Sequence, residues 1–215
     1  MSSAAGIAPG RDCALCPRLV QFRRMQRELH ADWHNAPVPS FGPAEARLLI
    51  VGLAPGLKGA NRTGRPFTGD YAGDLLYATL LKFGFAHGHY AARADDGLIL
   101  VDCRISNAAR CVPPENKPLP DEIAACRGFL AAEIAAMPNL KAILALGQIA
   151  HGAVLAALGQ RKSAFAFRHG ALNHLPDGCL LAASYHCSRY NTNTGKLTTP
   201  MFESVFEELQ RALRR

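Results

Sequence analysis

The sequence predicts an α/β fold in which a central four-stranded parallel sheet carries helices on both faces. Four short apolar runs lack the polar alternation of half-exposed strands, which is typical of buried parallel strands. Helical stretches separate most of these runs, and a strand–helix–strand order indicates a parallel sheet. Hydrophobic residues make up 49% of the 215-residue chain, which is enough for a full core.

The predicted elements follow one another along a single domain, residues 1–215. Residues 1–46 form an N-terminal extension with a short basic helix and a proline-rich approach to the first strand. The four strands are predicted at residues 47–54, 97–103, 141–147 and 179–186. Helices are predicted at residues 73–82, 120–136, 148–158 and 200–213. Acidic residues near the start of the second of these helices suit the positive end of a helix dipole.

The charge of the chain indicates its class of partner. With 24 Lys and Arg against 17 Asp and Glu, the net charge is +7 at pH 7. Such a balance favours a polyanionic partner, nucleic acid first and an anionic membrane surface second. No apolar run reaches the roughly 18 residues that span a bilayer, and the N-terminus lacks a signal-peptide pattern. We therefore expect a cytoplasmic globular protein rather than a membrane-bound or disordered one.

Seven cysteines in a reducing compartment favour free thiols, metal ligands or nucleophiles over disulfides. Cys13 and Cys16 form C-x-x-C, and Cys111 and Cys126 form C-x14-C. Two spaced pairs favour a four-thiolate metal site, and the loose second pair fits an iron–sulfur cluster at least as well as zinc. The alternative is that these are ordinary buried thiols, which pack like small hydrophobes. The other three cysteines have no partner pattern.

Polar residues that could carry chemistry follow three of the predicted strands. Asp70, Asn107 and His186 lie in the loops after the first, second and fourth strands. Because ligands bind at the carboxyl edge of open parallel sheets, these side chains are expected to converge there. A carboxylate can stabilise a cation or orient water, a histidine can donate to a developing anion, and an amide offers both a donor and an acceptor.

Each of these residues also has an ordinary structural explanation. Asp70 taken alone could cap the helix that follows, Asn107 could cap a turn, and His186 could be a satisfied buried histidine. Phe67 lies in a polar, glycine-rich loop, where an aromatic ring could stack on a planar ligand. The chain lacks both G-x-x-x-x-G-K-[ST] and G-x-G-x-x-G, which argues against a nucleotide-binding enzyme. The functional interpretation therefore depends on these residues occurring together and not on any one of them.

Three motifs carry a resemblance to a known family. The segments GLAPGLKGANRTGRPFTGD (52–70), SNAARCVPPENKP (106–118) and HCSRYNTNTGKLT (186–198), with the four paired cysteines, resemble the iron–sulfur uracil-DNA glycosylases. The chain looks most like the family 5 branch, because Leu53 stands where family 4 enzymes have the acidic residue of G-E-x-P-G. It departs from the family in the last motif, where Cys187 replaces the proline of the usual H-P-S.

The resemblance implies a three-layer α/β/α sandwich around a four-stranded parallel sheet, in agreement with the strands predicted from the residues. It also implies a [4Fe-4S] cluster with a structural role. The four implied cluster ligands, two of them in the N-terminal extension, are Cys13, Cys16, Cys111 and Cys126.

The resemblance further implies the roles of the site residues. The implied catalytic residues are Asp70, which stabilises the sugar cation or activates water, His186, which donates to the departing base, and Asn107, which hydrogen-bonds the base. Phe67 would stack on the flipped base, and Gly52, Leu53 and Ala54 would shape the pocket. The implied DNA-contact loop consists of Ser188, Arg189, Tyr190 and Asn191.

The implied function is that of a monofunctional DNA glycosylase, expected to act as a monomer on double- or single-stranded DNA. It would flip out uracil, and other deaminated bases such as hypoxanthine, and leave an abasic site without cleaving the strand. No lysine in the motifs is an evident Schiff-base nucleophile. The alternative is a catalytically inactive nucleic-acid-binding protein with the same fold and cluster.

Overall fold

A five-stranded sheet forms the centre of the structure, a computed structural model that describes residues 8–214. Its strands lie in the order β4, β1, β5, β7, β6. Their bounds are β1 Leu48–Gly52, β4 Cys103–Asn107, β5 Ala142–Leu146, β6 Leu172–His174 and β7 Leu180–Ser184. Two further short strands, β2 Ala86–His87 and β3 Ile99–Leu100, pair with each other outside this sheet.

Seven α-helices accompany these strands within the described residues. They are α1 Pro17–Leu29, α2 Ala60–Thr63, α3 Tyr71–Lys82, α4 Pro120–Ala135, α5 Gln148–Ala157, α6 Arg189–Asn193 and α7 Thr199–Leu213. Local sequence explains where the longer ones begin. Asp70 caps α3 and Thr198 caps α7, each accepting a hydrogen bond from the first turn. Helix α4 starts at Pro120, and its Glu122 accepts a hydrogen bond from the backbone N–H of Leu119.

The helices cover both faces of the sheet, so the α/β/α layering is confirmed. Alternate residues of β1 enter different cores, because side chains alternate across a strand. Leu48 and Ile50 pack in the core on the side of α3 and α7, whereas Leu49 and Val51 pack in the core on the side of α4 and α5.

The strand number differs from the prediction of four. Strands β4, β1, β5 and β7 are mutually parallel, as predicted, but β6 adds a fifth strand that runs antiparallel to β7 at the edge. Strand β6 has only three residues, none of them buried, so it lacks the apolar run from which the other strands were predicted.

The predicted strand at 97–103 was wrong in position. The chain turns at Asp102, whose φ is 52°, and β4 begins only at Cys103. Its Arg104 and Ser106 both bond to Glu133 of α4, at 2.7 Å each. These paired polar groups allow a strand with an alternating sequence to be buried.

The single-domain organisation, with residues 1–46 as an N-terminal extension, stays a prediction, and residues 1–7 and 215 lie outside the described part of the chain. Within residues 8–214, no helix is both long and apolar enough to cross a membrane.

Candidate active site

The loops that follow β1, β4 and β7 meet around a cavity of about 360 Å³. Strands β1 and β4 end side by side, with Gly52 paired to Asn107. The cavity lies at the carboxyl edge of the parallel strands, where the sequence predicted it. Eight of the predicted site residues line it: Leu53, Ala54, Phe67, Asp70, Asn107, His186, Ser188 and Arg189.

Gly52 allows Asn107 and Phe67 to lie close together beside the cavity. A Cβ atom at this position would lie 2.5 Å from Oδ1 of Asn107 and 2.6 Å from Cζ of Phe67. Any side chain at residue 52 would therefore push the amide and the aromatic ring apart. Gly52 does not line the cavity itself, but the absence of a side chain brings together two residues that do.

Phe67 holds a strained backbone conformation beside the cavity. Its φ is 53°, which a bulky residue adopts only where the surroundings impose it. The carbonyl oxygen of Phe67 accepts a hydrogen bond from the Tyr90 hydroxyl at 3.3 Å, and Gly73 of α3 packs directly against this carbonyl. The Phe67 ring stacks on His186 with a centroid separation of 5.9 Å.

A buried ion pair supports the Phe67 loop from below. Arg65 forms two hydrogen bonds to Asp96, at 2.7 and 2.8 Å, with both side chains almost fully buried. Its Nε also donates to the Thr68 hydroxyl at 2.7 Å, and its guanidinium lies over the Tyr77 ring. Because Arg65 and Thr68 flank the Phe67 segment, these contacts fix the place of the ring.

Asp70 is both a helix cap and part of the cavity wall. It accepts a hydrogen bond from the backbone N–H of Gly73 at 3.3 Å, so the capping role considered for it is present in the structure. Burial raises the pKa of the Asp70 carboxyl, and the nearby Asp74 adds to this effect, whereas backbone hydrogen bonds oppose it. Gly56 and Gly59 let the preceding loop wrap closely around the carboxylate.

His186 faces the cavity as a neutral imidazole. Burial lowers its pKa to about 4, because the positive form would lose hydration. Its backbone carbonyl accepts a hydrogen bond from Nδ2 of Asn191 at 2.8 Å, which holds the residue to the following helix.

Only part of the predicted DNA-contact loop lines this cavity. Ser188 caps α6, and the Arg189 guanidinium lies 5.2 Å from the ring centroid of Tyr71. Tyr190 is 73% exposed and does not line this cavity. Asn191 lines an adjoining cavity of about 510 Å³. The sequence analysis assigned no role to Tyr71 and Asn116, which also line the first cavity. Asn116 lies within the motif at 106–118, whereas Tyr71 directly follows the motif that ends at Asp70.

The four paired cysteines surround a second, small cavity near α1. Cys13, Cys16, Cys111 and Cys126 all line it, and none forms a disulfide. Burial raises the pKa of Cys16 to about 11 and that of Cys111 to about 12, and the other thiols of the group add to both effects. Within residues 8–214, no three His, Cys, Asp or Glu side chains are placed tightly enough to hold a metal ion.

The surroundings of these thiols fit an anionic metal–thiolate group. The Arg23 guanidinium donates to Sγ of Cys111 at 3.5 Å, and the backbone N–H of Arg110 donates to Sγ of Cys126 at 3.4 Å. N–H groups directed at sulfur stabilise thiolate ligands. The remaining cysteines lie elsewhere: Cys103 and Cys187 are fully buried in the core, and Cys179 is half-buried before β7.

Comparison with known proteins places the chain in a family. Residues 39–210 match the model of the uracil DNA glycosylase superfamily. A type-5 uracil-DNA glycosylase of Thermus thermophilus is 48% identical over 204 residues, which cover 93% of each chain. The type-5 enzyme of Pyrobaculum aerophilum is 40% identical, covering 94% of this chain and 88% of its own. That of Mycobacterium tuberculosis is 41% identical, covering 93% and 77%. The chain therefore belongs to the uracil-DNA glycosylase superfamily and, within it, to the type-5 branch.

Proposed function

We propose that the chain is a monofunctional DNA N-glycosylase that flips uracil out of DNA, cleaves its N-glycosidic bond and leaves an abasic site. The observation that carries this proposal is the meeting of Phe67, Asp70, Asn107 and His186 around one cavity at the carboxyl edge of the sheet. The type-5 names of the relatives support the same activity.

The base would be held by stacking and by hydrogen bonds. Extrusion from the duplex costs a few kcal/mol, which contacts in the cavity must offset. The Phe67 ring is fixed beside the cavity and offers a face for stacking, and the Asn107 amide offers a donor and an acceptor to the edge of uracil. Gly52 keeps these two groups close to each other.

Bond cleavage would depend on His186 and Asp70. As the glycosidic bond breaks, negative charge builds on the uracil ring, and an N–H of neutral His186 would donate a hydrogen bond to O2. Positive charge builds on the sugar, where the Asp70 carboxylate would stabilise it or orient the water that attacks C1′. No lysine lines the cavity in the described part of the chain, which supports release of the base without a Schiff base.

DNA would approach across the cavity mouth. The net charge of +7 favours binding to phosphates, and Arg189 lies at the mouth beside Tyr71. Arg189 and the exposed Tyr190, in the loop after His186, are the candidates to fill the gap that a flipped base leaves. We extend the proposal to double- and single-stranded DNA; action as a cytoplasmic monomer stays a prediction.

The proposed substrate range includes other deaminated bases such as hypoxanthine. Leu53 places an apolar side chain in the cavity wall. Apolar walls discriminate weakly between bases, whereas buried polar groups reject a base that leaves them unpaired. Leu53 itself adds no polar group that another base would leave unpaired, and we therefore extend the proposed range beyond uracil.

We also propose that Cys13, Cys16, Cys111 and Cys126 hold a [4Fe-4S] cluster. The four side chains surround one cavity, and two N–H groups point at the sulfur atoms. When bound, the cluster would join the segment before α1 to Cys111, which follows β4, and to Cys126, which lies within α4. Its role would be structural, since this cavity is separate from the one lined by Asp70 and His186.

The test is base release from labelled DNA carrying U opposite G, U opposite A, or hypoxanthine opposite T, with abasic sites revealed by alkali. We expect release from both uracil duplexes and from the hypoxanthine duplex. Strand cleavage before alkali treatment would contradict a monofunctional enzyme. Binding of all three duplexes without release would favour the inactive nucleic-acid-binding alternative.

A further inference from the structure

Arg23 is a buried cation with no ion-pair partner in the described part of the chain. The residue lies on α1 and is 3% exposed. Within residues 8–214 it forms no ion pair: Asp12, whose pKa is lowered mainly by Arg27 and to a smaller extent by Arg23, is exposed and pairs with Arg27 at 2.6 Å. The other acidic group near the cysteines, Glu122, pairs with Arg18 at 2.7 Å. A buried charge without a counter-charge costs several kcal/mol, so a partner is expected.

The guanidinium points at the cysteine cavity. Its Nη1 donates to Sγ of Cys111 at 3.5 Å and its Nη2 to the backbone oxygen of Cys13 at 2.9 Å. The N–H at Nε is buried without a partner among the described residues. Four neutral thiols would leave the positive charge of Arg23 uncompensated, whereas metal-bound thiolates carry a net negative charge.

We propose that Arg23 is the counter-ion of the metal–thiolate group, and that its positive charge retains this group and raises its reduction potential. The inference rests on the proposed cluster and concerns how this chain tunes it. Reduction adds negative charge to the cluster, and a cation in contact with a ligand sulfur stabilises the reduced form more than the oxidised one. The buried setting strengthens this interaction because little water screens it.

The neighbouring Arg24 provides a matched control. It lies one residue further along α1 and is exposed, so its charge is hydrated and screened. Arg23→Gln removes the charge but keeps an N–H donor, whereas Arg23→Lys keeps the charge and loses the planar fork. Comparing the two separates charge from hydrogen bonding, and far-UV circular dichroism reports whether each variant folds.

The experiment uses anaerobically purified full-length protein. Iron and sulfide per chain, the rate of iron loss to a chelator and the reduction midpoint potential are measured for wild type, R23Q, R23K and R24Q. We expect R23Q to lose iron about tenfold faster and to have a lower midpoint potential, as follows from losing a charge-assisted contact. R23K and R24Q should stay near wild type in potential.

The outcomes separate the two proposals. Wild type that carries no iron under these conditions refutes the cluster. Wild type with a full cluster, and R23Q equal to it in iron loss and potential, overturns the role of Arg23. If R23Q and R23K change equally, the charge is not the cause and the inference fails. If R23Q does not fold, the potential of R23K against R24Q decides: a marked fall in R23K alone contradicts the charge mechanism.

Discussion

The thiol of Cys187 donates a hydrogen bond to the backbone carbonyl of Ala72 at 3.4 Å. Cys187 directly follows His186, and Ala72 lies in the first turn of α3, the helix that Asp70 caps. This contact therefore joins the two segments that carry the proposed catalytic carboxylate and the proposed base-polarising histidine. Both partners are buried, so water does not compete for the bond.

Replacing Cys187 with Ala should weaken the contact between these two segments. We expect the free energy of unfolding to fall by about 1–3 kcal/mol, from the lost bond and the small void, and uracil release to slow by about tenfold. Urea unfolding and single-turnover base release would measure the two effects. Cys179→Ala is the control, since Cys179 is half-buried before β7, outside the cavity. Equal behaviour of the two variants would count against a positioning role for Cys187.

The pH dependence of base release should show no histidine step near pH 6.5. Burial disfavours the imidazolium, so His186, with a pKa of about 4, stays neutral well below the usual value of 6.5. The pKa of Asp70 is raised above its ordinary 3.8, so its protonation, and the resulting loss of activity, begins at a higher pH than for an exposed carboxyl. The profile should thus fall only on the acid side.

Single-turnover rates between about pH 4 and about pH 9 would measure this profile. The enzyme must first be shown to stay folded across the range. An inflection centred near pH 6.5 that disappears in His186→Asn would show instead that the histidine titrates during the reaction.

Gly73 should be essential to the placement of Phe67. A Cβ on Gly73 would lie 1.8 Å from the carbonyl oxygen of Phe67, so Gly73→Ala must displace the loop or the start of α3. We expect base release to fall by about 100-fold or more, since small misplacements of positioning groups cost this much. Steady-state kinetics should locate the loss mainly in kcat.

Gly128→Ala is the matched control for this substitution. Gly128 also lies within a helix, α4, but a Cβ there would meet no atom within 4 Å. Alanine should raise stability slightly, by up to about 1 kcal/mol, and leave activity unchanged. A Gly73→Ala enzyme as active as the Gly128→Ala enzyme would mean that the close packing against Phe67 is not needed.

The sequence was sufficient to predict those strands that consist of a continuous apolar run. The apolar runs that became β1, β5 and β7 are buried on both faces, so their composition identified them. The position of strand β4 was not predicted correctly, because its polar side chains are paired with Glu133. This partner lies 27 residues from Ser106, and no local pattern encodes it. Strand β6 was not predicted, because an edge strand of three residues has almost no hydrophobic pattern.

Part of the candidate site could likewise be predicted from the sequence, and part could not. Asp70, Asn107 and His186 were predicted to converge from the loops after three strands, and they do line one cavity, although Asn107 is the last residue of β4 and not part of a loop. The burial of Arg23 could not be predicted, since an arginine on a basic helix is usually exposed. Its depth depends on how α1 packs against the segment around Cys111, which is a tertiary contact.

The most direct measurement is the single-turnover rate of uracil release by Asp70→Asn beside wild type, with duplex binding measured on the same samples. Asparagine caps helices as well as aspartate, so the fold and the N-terminus of α3 should be kept while the negative charge is lost. We expect unchanged unfolding and binding but release slowed by about 100- to 10,000-fold. Release at the wild-type rate would reduce Asp70 to a helix cap, and absence of release by wild type itself would contradict the proposed enzyme.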